Sequence, residues 1–535
     1  MNNENSSASD ESGAPDQRIA INTVSRYVSM SIGMVVGFLL LPFLLRHIGK
    51  PAYGLQALAH QCLEFVTMLA FAIGMSYDRI AAAHYARHDY DRMNATLSAG
   101  LTLSLLVGVV IIGATLLLAR FADVVFDLPP HLLEPARWVL ILLGAGAAVT
   151  VVSGVYRTPV YMTQRLYLLS ISNMLDILVP AALVIPLFIY GRGSIVVWVG
   201  LSVATRLCTL WMIAIPMGRR GLPHLKIRLF APHVRREMRE LLSFGGLSII
   251  GSLGALLYYA TDSIMVSNLN ELGIQEVVNY NVAQRWFPQI SMFASSFVWI
   301  LGPAMTAQVA TNQFDKVRAT VATATRYCFI ILAYPCLLLS IQAEPFLRLW
   351  LKSAFVMESV PVMRVIMCAL LLSGAGIVAY ETLYACRKIR HAVLATLIGG
   401  VLNIALSITL VKVAGMGLLG IATGSLISLF LLEVICLPYF LCRELSLGCG
   451  ILFRGAGRAF LGAIPLAGAC VLLLHAWTPK SLFQIIVQFA LCGLVYLPSI
   501  WFISLTGADR DNLRGAITTG IASWRARRGS KEGGS

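Results

Sequence analysis

Apolar residues run along this chain in blocks of about twenty, separated by short polar stretches rich in Lys, Arg, Gly and Asn. About twenty residues rising ~1.5 Å each cross the ~30 Å hydrocarbon core of a bilayer. The blocks predict transmembrane helices at roughly 24–46, 54–77, 96–119, 137–156, 166–190, 194–217, 243–268, 280–305, 321–342, 362–385, 391–412, 417–441, 456–475 and 482–505. The fold class is therefore an all-α polytopic membrane protein of about fourteen spans, with no separate soluble domain. Block 54–77 is the least regular, because His60, Gln61 and Glu64 interrupt it. It is kept because an even number of spans distributes the loop charges better.

The pattern also repeats. ARHDYDRMNATL (86–97) follows the second block, and ATNQFDKVRATV (310–321) follows the eighth. A looser echo joins YMTQR (161–165) with YACRK (384–388). Both copies fall six spans apart on one side of the membrane, so the halves are parallel repeats about an axis along its normal. The expected organisation is a disordered tail (1–19), an N-lobe (20–217), a basic loop (218–242), a C-lobe (243–443), two appended spans (444–508) and a basic tail (509–535). An interface between two such lobes is where transporters place their substrate.

Composition changes the picture in three ways. With 58% hydrophobic and only 13% charged residues, the chain carries about half the charge of a soluble domain, so lipid is its solvent. The net charge of +15 sits in short loops beside the membrane rather than on a domain-sized surface, which argues against nucleic acid. The richest loop holds Arg219, Arg220, Lys226, Arg228, Arg235, Arg236 and Arg239, and the excess of Lys and Arg on that side places both termini in the cytoplasm. The eleven cysteines are scattered without CxxC or His/Cys spacing, so no metal site is expected. The polar start lacks the basic opening and cleavage site of a signal peptide, so the first block is read as a retained helix.

The segment NTVSRYVSMSIGMVVGFLLLPFLLRHIGKPAYGL (22–55), with Pro42, Gly49, Tyr53 and Gly54, resembles the opening of bacterial polysaccharide-transport flippases. These belong to the multidrug/oligosaccharidyl-lipid/polysaccharide exporter superfamily. YYATDSIMVS (258–267), YNVAQRW (280–286) and Pro303 resemble the second lobe of the same family, and the likeness covers most of residues 20–510. The resemblance implies a V-shaped, alternating-access transporter in the bacterial inner membrane. It would move oligosaccharide linked to undecaprenyl diphosphate from the inner to the outer leaflet. The sugars would feed an O-antigen (lipopolysaccharide), capsule or exopolysaccharide polymer. The partners implied are that lipid-linked oligosaccharide, membrane lipids, and a polysaccharide polymerase with its assembly proteins. No cofactor is implied, and coupling would be to H+ or Na+.

Ionisable side chains inside spans cost ~2.5–3.5 kcal/mol on insertion scales, so they mark candidate sites. An anionic diphosphate calls for Arg. Arg26 lies near the start of span one, with Ser29, Gly33 and Gly37 on the same face; a snorkelling role at the headgroups explains it equally. Arg79 stands beside Asp78 at the inner end of span two, where a local ion pair is the alternative. Arg285 lies early in span eight, and Arg206 midway along span six, where Asp176 of span five is its structural partner. His60 and Glu64 are four apart on one face, a spacing suited to a proton site or to a structural pair. The repeat sets them roughly opposite Gln284 and Arg285. Asp262, in span seven, is read either as a coupling-cation ligand or as a loop cap.

Enzymatic patterns are missing from the chain. It has no GxxxxGK[ST] and no GxSxG. Asp89-Tyr90-Asp91 resembles a glycosyltransferase DxD, but its repeat keeps only Asp315, opposite Asp91. The pair reads as helix-entry chemistry with Asp89 incidental. An enzyme is not expected. Three alternatives to the leading reading stay open: a peptidoglycan-precursor flippase, a multidrug or cation antiporter of the same superfamily, and a membrane glycan polymerase or ligase. The last would need a large outer loop, whereas the longest loop here is the cytoplasmic 218–242.

Overall fold

A computed structural model describes residues 15–515, apart from 126–129, much of 215–260, 270–272, 353–355 and a few single positions. Every regular element among the described residues is helical. The principal helices are α1 (Pro15–Ala86), α2 (Tyr90–Arg120), α3 (Pro130–Gly154), α4 (Tyr167–Ile189), α5 (Ile195–Thr209), α6 (Thr261–Asn268), α7 (Gly273–Gln284) and α8 (Trp286–Ala310). They continue with α9 (Phe314–Ile341), α10 (Ala343–Leu351), α11 (Val356–Leu372), α12 (Gly374–Ala385), α13 (Ile389–Lys412), α14 (Gly417–Leu429), α15 (Leu437–Glu444), α16 (Gly450–Ala476) and α17 (Leu482–Ser499).

Ten helices among the described residues are long and apolar enough to cross a membrane, or eleven if the bent pair Met357–Leu372 and Gly374–Ala385 is one span. The fourteen expected blocks relate to these in a simple way. The first two fall within α1, which turns at Gly49 (φ 78°, ψ 164°), and Val24–Glu64 is one of the ten. Of the expected span 243–268, residues 243–249 lie outside the described residues and the helix α6 forms its last part, while α7 and α8 cover the block at 280–305. The other expected blocks each have their helix.

The chain divides into two compact units, residues 1–282 with 396–424, and residues 283–395 with 425–535. The return of 396–424 to the first unit follows from glycine. A Cβ on Gly254 would lie 2.8 Å from the Leu397 nitrogen, and one on Gly400 would lie 2.7 Å from Leu257 Cβ, so these backbones meet where side chains are missing. Asn403 then donates to the Tyr258 carbonyl at 3.1 Å.

In the first unit, Tyr77, Ala81, Met93, Leu97, Leu101 and Val155 form one buried cluster. A second gathers Leu40, Leu44, Ala181, Val184 and Phe188 from α1 and α4. In the second unit, Phe329, Ala456, Leu466, Cys492 and Tyr496 pack α9 against α16 and α17.

The entry to α2 corrects one expectation. Asp89 is not incidental: its Oδ1 accepts the Arg92 backbone N–H at 3.1 Å and caps the helix, while Asp91 lies in the first turn. In the repeat copy Asp315 pairs instead with Arg318 three residues on, at 3.1 Å. The repeated pattern thus marks helix starts in both places, with a side-chain cap at the first and a first-turn ion pair at the second.

Candidate functional site

Within the first unit, α1, α3, α4, α5 and the turn after α3 enclose a cavity of about 830 Å³, within the size range of small-molecule sites. Its walls are largely apolar, and its chemistry is concentrated in His60, Glu64, Asp78, Arg157 and Arg206. Hydroxyl and amide groups of Gln56, Thr67, Tyr77, Thr150, Tyr161 and Ser202 complete the polar lining.

Local sequence places these groups. α3 carries Gly146, Thr150 and Gly154 along one side, and Thr150 Oγ1 donates back to the Gly146 carbonyl at 2.7 Å, which keeps that hydroxyl satisfied without a partner helix. At Gly154 a Cβ would lie 2.9 Å from the Tyr77 hydroxyl, and at Gly100 it would lie 2.8 Å from Tyr77 Cδ1. Two glycines on two helices therefore hold open the slot that Tyr77 fills. Beyond Gly154 the helix tightens into a 3₁₀ turn, Val155–Arg157, before the short helix Thr158–Met162. That tightening carries Arg157 into the cavity wall.

The charges are arranged in two linked groups. Thr158 Oγ1 donates to Asp78 Oδ1 at 2.5 Å. Across from them, Thr209 Oγ1 donates to Asp176 Oδ1, and Arg206 Nε lies 3.9 Å from Asp176 Oδ2. Arg157 lies within electrostatic reach of both groups, Asp78 in the one and Asp176 with Arg206 in the other. His60 Nδ1 and Glu64 Oε1 are 3.5 Å apart, with side chains 63% and 47% exposed, so the pair is open to whatever enters.

Of the residues expected from sequence, the cavity gathers His60, Glu64 and Arg206. Arg206 also has the partner proposed for it, Asp176. Arg26 and Arg79 are exposed on α1 and are not part of the lining. Arg285 occupies the break between α7 and α8 and belongs to the second unit. Asp262 is buried in a polar cluster of its own, where it accepts the Tyr280 hydroxyl at 2.5 Å and Asn403 Nδ2 at 3.3 Å. Beside it Asn281 Nδ2 donates to Ser263 Oγ at 3.0 Å.

Sequence reasoning missed Arg157, and Asp78 appeared in it only as a neighbour of Arg79. Arg157 follows the expected end of the fourth span directly, so it was grouped with the loop charges. The signal available was Pro159, which marks a change of helix geometry rather than a loop: the candidate span continues to Met162.

Comparison with known proteins bears on the whole chain. Residues 19–308 match the family described as polysaccharide biosynthesis protein. EpsK, an uncharacterized membrane protein of Bacillus subtilis (strain 168), is 22% identical over 472 residues, covering 88% of this chain and 90% of its own. Among solved structures, the lipid II flippase MurJ in an inward closed conformation is similar with a TM-score of 0.65 at 13% identity, covering 90% of this chain and 98% of that one. An inward-facing multidrug resistance MATE transporter of the MOP superfamily is similar with a TM-score of 0.64 at 15% identity, covering 79% and 96%. At these identities the two structures show that the fold is shared.

Proposed function

The chain belongs to the polysaccharide biosynthesis protein family, and from that premise we propose that it is a flippase for a lipid-linked oligosaccharide. It works in the bacterial inner membrane with both termini in the cytoplasm. It carries the headgroup of an undecaprenyl-diphosphate-linked glycan from the inner to the outer leaflet by alternating access. The product supplies an O-antigen, capsule or exopolysaccharide polymerase and its assembly proteins.

The observation that carries this reading is the cavity with two arginines, Arg157 and Arg206, set in its largely apolar wall. Charged groups in a membrane helix are costly, and two guanidinium groups in one cavity suit a diphosphate, which each can engage through two parallel hydrogen bonds. The hydroxyl and amide groups beside them suit a sugar, whose recognition depends on directional hydrogen bonds. The Asp78–Thr158 and Asp176–Thr209 contacts fix two carboxylates, and Asp176 pairs with Arg206. His60 with Glu64, and the buried Asp262 cluster, are the candidate sites for a coupling H+ or Na+.

One observation favours a second reading. Glu64 and Asp78 line the same cavity, and carboxylates suit an organic cation, as a multidrug antiporter would carry. The experiment that separates them follows radiolabelled lipid-linked oligosaccharide in a host lacking the gene. The flippase reading expects inner-leaflet accumulation, relieved by the wild-type gene and not by Arg157→Ala or Arg206→Ala. Normal arrival at the outer leaflet, with drug resistance lost instead, sinks it in favour of the antiporter.

A further inference from the structure

The second unit contains a carboxylate that none of this uses. Glu433 is 9% exposed, and its Oε2 has no hydrogen-bond partner. It lies in the candidate span Gly417–Glu444, on a π-helical stretch, Phe430–Cys436, between α14 and α15. Such widened turns inside α-helices are rare and occur often at functional sites. An ionised carboxylate in this setting, away from water and without a cation, is strongly disfavoured, so the group must be neutral or be given a partner.

Among the described residues the surroundings supply no ion-pair partner. The titratable side chains facing Glu433 are Cys328 from α9 and Tyr380 from α12. No Lys, Arg or His of α11, α12 or α15 forms an ion pair with it among the described residues. No group of three His, Cys, Asp or Glu able to hold a metal ion occurs there either. What lies against it is backbone: a Cβ added to Gly376 would lie 2.6 Å from Glu433 Cα, so α12 closes directly over the carboxyl.

That closing helix is one half of a broken span. α11 and α12 meet at Ser373 with a 45° bend, and Gly376 lies three residues beyond the break. Discontinuous helices of this kind form substrate and coupling-ion sites in transporters.

We infer that Glu433 is a proton-binding site, holding its proton while α12 lies over it and exchanging it with water when α12 tilts about Ser373. Loading forms one O–H bond on the carboxylate and leaves one water from the arriving hydronium; release reverses the step. The ligand is a proton rather than a metal cation, because the site presents a single carboxyl and no array of oxygens. As a site for coupling, it rests on the transport reading above; as a proton site, it does not.

The test uses the full chain in lipid vesicles. Infrared difference spectra of wild type against Glu433→Gln at neutral pH are expected to show one carboxylic-acid C=O band that shifts in D₂O and is absent from the variant. Glu433→Asp, which keeps an acid, should retain a displaced band and guards against a variant that merely misfolds. No change in the acid C=O region, with the difference confined to carboxylate stretching bands, would mean an ionised carboxylate and overturn the site. Loss of the acid band when choline is replaced by Na+ would overturn the proton assignment in favour of a cation. In the same vesicles, an imposed pH gradient should accelerate oligosaccharide movement in wild type and not in Glu433→Gln, with gradient-free exchange equal in both. Loss of exchange as well would make Glu433 structural and overturn its coupling role. Wild-type vesicles that move no lipid at all would count against the flippase reading while leaving the infrared result intact.

Discussion

Arg326 Nη2 lies 2.5 Å from Asp509 Oδ2, with the two side chains 9% and 7% exposed. The pair ties α9 to the segment that follows the last span, and Thr506 completes it by donating its backbone N–H to Asp509 at 2.8 Å. Removing one member of a buried pair strands the other charge, at about 3–5 kcal/mol. Asp509→Ala should therefore lower the melting temperature of the purified protein sharply. Replacing both residues by apolar ones of similar size should recover much of the loss. Equal damage from the single and double changes would show that packing rather than charge holds the joint.

The cavity arginines lead to a prediction about substrate rather than stability. Arg157→Lys keeps the charge but loses the planar fork, so it should restore little of the transport lost in Arg157→Ala. The readout is the rate of oligosaccharide appearance in the outer leaflet. Full rescue by lysine would mean that the cavity needs only positive charge.

His60 and Glu64 are open to solvent, so their pairing should contribute no more than about 1 kcal/mol to stability. Glu64→Gln should melt within a few degrees of wild type, yet alter the dependence of transport on an imposed pH or Na+ gradient. A large fall in melting temperature with unchanged transport would assign the pair a structural role.

Tyr77 fills the slot between Gly100 and Gly154. Gly100→Val should force the ring aside and destabilise by about 1–3 kcal/mol. Combining it with Tyr77→Ala should cost less than the sum of the two single changes, because the clash disappears. Strict additivity in melting experiments would show that the two positions do not press on each other.

Gly49 holds φ at 78° between the two halves of α1. Gly49→Ala should cost about 1–3 kcal/mol, because φ 78° with ψ 164° is a conformation that essentially only glycine adopts. Cysteine-accessibility mapping on either side of residue 49 should show the turn straightening in that variant. An unchanged pattern would mean that neighbouring helices impose the turn.

Much of this protein can be read from order along the chain alone. Hydrophobic block length sets what crosses a bilayer, so a multi-span helical membrane protein followed from residues such as those at 96–119 and 482–505 without knowledge of any contact. The His60–Glu64 pairing was equally legible, because four residues on a helix always share a face. The Arg206–Asp176 pair required only that two successive spans lie side by side.

What the tertiary structure decided lies between residues far apart in sequence. Arg326, near the start of the block at 321–342, meets its partner Asp509 only through the fold, 183 positions on. Arg157 looked like a loop residue until a 3₁₀ turn brought it into the cavity wall. Glu433, inside the block at 417–441, carried the same local signal as Arg206, but whether its carboxyl meets a cation is a property of every neighbouring helix at once. Periodicity and loop charge act within about twenty residues and so determine what enters the membrane. The pairing of buried charges depends on which helix faces meet, and only packing chooses those.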